Sequence, residues 1–151
     1  MFLCTAVVNG QGYVGNWQND VVFPSIAVGS DGTSAAMVYS VTGNNTFPSL
    51  AVSKFNIHNG PGAIPIVLHG QDVLDDFCTD FPFCGTPPID YRPRYGDYSY
   101  AVSNGNTVWA AGEYVQAPSC SDGQFLFDPS CGGTRGAFSN WGTGLVRLTL
   151  P

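Results

Sequence analysis

Two carboxylates stand out in a chain poor in charge. Glu113 is the only glutamate among 151 residues. It lies in the segment VWAAGEYV, from Val108 to Val115. A carboxylate in so apolar a stretch must be paired or have its titration shifted, and a shifted carboxyl is a candidate general base. The structural alternative is an ion pair with Arg135 or Arg147. Asp97 stands between Gly96 and Tyr98, close to Arg94, and Asp20 follows Asn19 at a comparable point. Both lie where a strand is about to begin. A carboxylate there can hold Ca²⁺ or another divalent cation, or activate a water. The alternative for Asp97 is a strand cap or an arginine partner. The candidate catalytic set is therefore Asp97, Glu113 and Asp20, with Asp97 and Asp20 as candidate metal ligands. Arg94, Tyr98, Trp109 and Trp141 are candidate ligand-binding residues. With Trp17, the tryptophans and tyrosines suit an aromatic cleft for a carbohydrate or aryl ligand, or else packing between sheets.

A second acidic group, Asp72, Asp75, Asp76 and Asp80, is rich in oxygen but lacks the glycine and closing glutamate of an EF-hand. A solvated loop is its plainer reading. His58 and His69 flank the linker NGPG at residues 59–62, and with these aspartates they form a conceivable hydrolytic metal site. The plainer reading is two surface histidines. No nucleophile elbow, HExxH helix or phosphate-binding glycine loop is present. The sequon Asn44-Asn45-Thr46 reads as a turn.

Five cysteines occur. Cys78 and Cys84 bracket one loop sequence, Cys120 and Cys131 bracket another, and Cys4 is left over. Two disulfides closing small rings are expected, each adding about 2–3 kcal/mol in the chain-entropy model. Such pairs suit an oxidising compartment, with five reduced thiols as the alternative. No CxxC exists, and neither histidine neighbours a cysteine, so zinc is not expected.

Composition narrows the partners. The net charge is −6, with Lys54, Arg92, Arg94, Arg135 and Arg147 the only cations. No basic stripe exists to neutralise phosphates, so no nucleic acid is expected. No apolar run is long enough for a membrane-spanning helix. The first residues, MFLCTAVVNG, lack the basic region of a signal peptide and read as a strand, so the chain is expected to begin inside a fold.

What must position these side chains is β-structure. The 19 glycines and 11 prolines leave little room for helices, and Val, Thr, Tyr, Phe and Trp fill the intervals. One motif occurs twice, roughly seventy residues apart. FPSIAV (Phe23 to Val28), a turn through Thr33 and SAAMVYSV (Ser34 to Val41) form the first copy. DYSYAV (Asp97 to Val102), a turn through Thr107 and VWAAGEYV form the second. A third strand follows each, FPSLAV from Phe47 and WGTGLV from Trp141. Before the first copy, Phe2 to Val8 and Gly12 to Trp17 read as a hairpin, and Ile64 to Leu68 as a short strand after it. The expected divisions are a partial blade at 1–18, a first repeat at 19–71, an acidic Cys- and Pro-rich insertion at 72–93, and a second repeat at 94–151.

Strands such as AAMVY and VWAA are apolar on both faces, so both faces need cover. Each first strand is built from small residues: Ser25, Ala27, Ser99 and Ala101. Small side chains suit the crowded inner rim of a β-propeller; a β-sandwich is the alternative. One chain holds about half a ring, so association of two or more copies is expected to complete it. Asp97 would then recur around one axis as a cation site.

The second repeat, with RYGDYSYAV from Arg94, Val108-Trp109, GEYV from Gly112, Thr134-Arg135 and SNWGT from Ser139, resembles the C-terminal blade region of large secreted bacterial β-propeller proteins of unassigned function. MVYSV followed by FPSLA in the first repeat is similar to their preceding blade, and Asp75-Asp76-Phe77 to their linker. The turn Ser103 to Trp109 is loosely similar to the Asp-box of sialidase-like blades, with Gly105 where the Asp would stand. The resemblance implies a propeller architecture and an extracellular or periplasmic location for the parent family. It implies no chemistry. Two functions follow as expectations: an oligomeric propeller module with an axial polar pocket for a small ligand or cation, or a metal-assisted hydrolase of a small ester, phosphoester or glycoside at that pocket.

Overall fold

The computed structural model describes Val8 and residues 11–75, 95–133 and 139–151. Among these the protein is almost wholly β. The first sheet holds β1 (Asn19–Val28), β2 (Ser34–Gly43), β3 (Thr46–Asn56), β4 (Gly60–Pro61) and β5 (Ile66–Leu68), the last two both pairing with β3. The second holds β6 (Tyr100–Asn104), β7 (Thr107–Val115) and β8 (Trp141–Thr149). Both are antiparallel meanders. A short helix, α1 (Asp122–Phe127), starts at the Ser121 cap within the long connection before β8.

The repeat is kept in register. Val28 pairs with Ala35, and the pair 74 positions on, Val102 with Trp109, recurs in the second sheet. Third strands match differently from expectation. Leu50 lies opposite Ser40, and Gly142 lies opposite Tyr114, so Ser49 rather than Phe47 corresponds to Trp141. The two-residue shift preserves the alternation of faces.

The sheets pack face to face through small residues and branched aliphatics. Ala27, Ala36, Val38, Leu50 and Val52 meet Val108, Ala110 and Leu150, with Ala101, Val146 and Leu148 partly buried against them. Leu50 has no exposed surface; a side chain on Gly112 would collide with it, and one on Gly144 with Leu68. The glycines therefore set how closely the second sheet approaches.

β1 and β6 lie edge to edge and are joined by serine hydroxyls. Ser99 Oγ donates to the Phe23 carbonyl, the Ala101 N–H donates to Ser25 Oγ at 3.0 Å, and Ser103 Oγ donates to the Val28 carbonyl at 2.6 Å. The Ser30 N–H continues the series to the Gly105 carbonyl at 3.1 Å. Both partners advance together, so β1 and β6 run in the same direction. The hydrogen-bond phase also differs between the repeats. Ala101 points its N–H out of its own sheet, whereas in β1 the outward carbonyl belongs to Val28, one position beyond the equivalent Ala27. Side chains at equivalent positions therefore stand on opposite sides of their sheets. The front of the first sheet covers the back of the second, as in a succession of blades.

The far side of the first sheet is covered too. Tyr39, Val41 and Ala51 pack there with Val14, Val21, Met37, Ile64 and Ile66. The expected strand at Gly12 to Trp17 does not form. Gln18 takes φ 62, which reverses the chain into β1, and only Asn16 bridges to Asn19. Trp17 is exposed, not packed between sheets. Residues 2–7, the partner of the expected hairpin, lie outside the described residues.

Candidate functional site

The start of β6 and the last third of β7 form one polar corner. Glu113, the counterpart of Tyr39 in the first repeat, pairs with Thr143 and is half buried. Burial pushes its carboxyl above the usual range and the charge of Asp97 adds to this, while the Gly96 N–H, bonded to the carboxylate, opposes it. Gly96 is buried at φ 55, and a Cβ there would stand 2.8 Å from the Phe23 ring, so this corner of β1 and β6 admits only glycine without rearrangement. Tyr95 donates from its hydroxyl to the Glu113 carbonyl at 2.7 Å, with Ser40 Oγ at 3.4 Å. Burial pushes the Tyr95 phenol up to about 12, so it stays a hydrogen-bond donor at neutral pH. Tyr95 fixes the backbone that carries Glu113. Its signal in the sequence was only its place before Gly96-Asp97.

The candidate residues sort clearly. Asp97 and Glu113 come together, with exposed Tyr98 next to Asp97. Asp20 is an exposed residue near the start of β1, opposite Thr42. Among the described residues no three of His, Cys, Asp and Glu converge in a way that would hold a metal ion. A cation at Asp97 and Glu113 would need backbone carbonyls or water to complete its shell. Trp109 and Trp141 do not share a cleft. They stand at opposite ends of the second sheet, opposite Arg147 and Val115, about 20 Å apart along the strands. Arg147 lies over the Trp109 ring, 5.7 Å from its centre, rather than beside Glu113. Arg94, Arg135, Cys78 and Cys84, like Asp76 and Asp80, lie outside the described residues.

His58 and His69 are not brought together. His58 follows the end of β3, while His69 follows β5, which pairs near the start of β3; the two exposed rings are at opposite ends of that strand. Asp72 and Asp75 are structural. Asp72 Oδ2 accepts from the Ser119 N–H at 2.9 Å and Asp75 Oδ2 from the Cys120 N–H at 2.8 Å. The Ser119 bond is the main reason the Asp72 carboxyl lies below its usual range. Asn140, buried between the two strands of chain, donates to the Val73 and Gln116 carbonyls and accepts from the Asp75 N–H. These bonds pin the base of a loop closed by the Cys120–Cys131 disulfide, whose Cα atoms are 5.8 Å apart. Phe125 packs on the disulfide, while Leu126 and Phe127 point to solvent.

The outer face of the second sheet carries a group of exposed apolar side chains. Tyr100 and Val102 from β6, Trp109 from β7, and Trp141 and Leu145 from β8 are all exposed there, Leu145 at 77%. At the opposite end of the stack Ile26 and Val28, the repeat equivalents of Tyr100 and Val102, are also half exposed. Comparison with protein-family models, with curated proteins and with solved structures gives no match.

Proposed function

We propose that the chain is an assembly and binding module of the β-propeller kind, in which copies add head to tail and the Asp97–Glu113 corner offers a polar pocket for a small ligand or cation. The observation that carries the reading is the exposed apolar face of β6, β7 and β8. Contiguous exposed apolar surface of this sort marks an interaction site. A second sheet laid on it, running as β6 runs beside β1, repeats the packing already present between the two sheets of one chain. Head-to-tail contacts use two different surfaces and close into a ring when the rotation permits. Tyr100 and Val102 are the row a neighbour would meet at one end; at the other it would meet half-exposed Ile26 and Val28 of β1, beside the cover that Val14, Ile64 and Ile66 give the rest of that face.

Light scattering at micromolar concentration tests it. A defined multimer is expected, reduced to the monomer by Trp109→Glu with Leu145→Glu. A monomer at every concentration overturns it. A second reading, a metal-assisted hydrolase of a small ester, phosphoester or glycoside, is favoured by the raised Glu113 carboxyl beside Asp97. Turnover of a chromogenic substrate that is lost in Glu113→Gln and on chelation would establish it. No turnover across such a panel removes it.

A further inference from the structure

We propose that the groove between the outer strands of the two sheets binds a free fatty carboxylate of medium length, with Lys54 holding its head group. The groove measures about 300 Å³. Its walls are apolar: Val52 of β3, Pro65 and Val67 from the crossing into β5, and Val146 and Leu148 of β8. Among the described residues Lys54 is the only charged one lining it, and it is the only lysine in the chain. The walls are fixed in advance. The Gly62 N–H donates to the Lys54 carbonyl at 2.9 Å, Ser53 Oγ to the Ala63 carbonyl at 3.0 Å, and the Val52 N–H to the Pro65 carbonyl at 3.2 Å. A groove held in shape by its own backbone loses little entropy on binding.

The charge selects the occupant. Lys54 Nζ donates to the Thr149 carbonyl at 2.7 Å, which spans from β3 to the end of β8 and uses one of three ammonium hydrogens. The remaining hydrogens serve an anion at the rim, and a carboxylate there makes charge-assisted hydrogen bonds. Among the described residues no carboxylate lines the groove, although the chain carries a net charge of −6. An alkyl chain along the apolar walls completes the match. At interior packing density the space takes roughly eight to ten carbons. This site lies between the sheets at their outer strands, so it stands independently of assembly through the outer face.

Isothermal titration of the full chain with decanoate tests the site. Saturable binding of one decanoate per chain is expected, tightening about fourfold per methylene from hexanoate to octanoate to decanoate. Lys54→Met, an exposed substitution that keeps the apolar stem, is expected to weaken decanoate at least tenfold, and Lys54→Arg to retain it. Decan-1-ol binds at least tenfold more weakly than decanoate. Val67→Trp, at a residue on the groove wall, abolishes binding with the circular dichroism spectrum unchanged. Absence of saturable heat with decanoate overturns the proposal. So does equal affinity in Lys54→Met, or binding of decylammonium as tight as that of decanoate.

Discussion

The two sheets share one hairpin register but differ in what covers them. Among the described residues the first is packed on both faces, save for half-exposed Ile26 and Val28 of β1, while the outer face of the second is open along Tyr100, Trp109 and Leu145 and closed at Val115. Where the first sheet has Tyr39, with no exposed surface and bonded to Ser53, the second has half-buried Glu113. Where the first has buried Ala35, the second has half-exposed Trp109. In the first turn Asp31 accepts from the backbone of Thr33 and Ser34, while the equivalent in the second is Gly105 at φ 61. Repetition of a backbone pattern therefore does not repeat an environment. Side chains follow the cover each copy receives.

The sharpest way to break this contrast is at Leu50, the covered side's main contact with the second sheet. Leu50→Ala is expected to cost about 3 kcal/mol in urea unfolding. Gly112→Ala, which drives a methyl into Leu50, should cost about 1–2 kcal/mol alone but almost nothing in the Leu50→Ala background. Equal costs in both backgrounds would show that the glycine does not set the approach. Tyr39→Phe removes a buried hydroxyl partner of Ser53, and a loss of about 1 kcal/mol is expected. Leu145→Ser, on the uncovered face, should stay within about 0.5 kcal/mol when the monomer is measured. A larger loss there would mean that the outer face is covered within the chain.

Titration separates the two sheets more finely and in opposite senses. The Asp31 carboxyl is held at about 2, below its ordinary 3.8, by the N–H groups of Ser34 and Thr33. Its stabilisation is complete above 3.8 and is lost as pH falls towards 2. Asp31→Asn should flatten the stability profile in that window. Glu113 is shifted upward, so the folded state binds its proton more firmly than the unfolded chain does. Its contribution is present below the ordinary value of 4.5 and is lost as pH rises through the folded value. Glu113→Gln should remove that decline. Both are read from denaturation midpoints across pH.

Much of the fold was legible in residue types. The doubled hairpin, the small residues of the first strands and the Cys120–Cys131 pair could all be read from spacing. The matching of the third strands could not. A two-residue turn, Asn44–Asn45, leads to β3, whereas a long loop with its own helix leads to β8, so local similarity drew Phe47 onto Trp141. The opposite hydrogen-bond phases of β1 and β6 were also hidden, because alternation tells which residues share a face but not which edge their N–H groups serve. At the candidate corner, Glu113 was legible as the only glutamate and Asp97 by its place just before a repeated strand. The work of Asp72, Asp75 and Asn140 was not, since each acts on backbone more than twenty residues away in sequence.

The disulfide-closed excursion from Cys120 to Cys131 has a practical consequence. Asp75 secures the chain at Cys120, and Phe125 is its only large residue buried against the bridge. Foreign peptides of similar length could be grafted between the two half-cystines, and the rest of the molecule would serve as a carrier that presents them on a fixed stem.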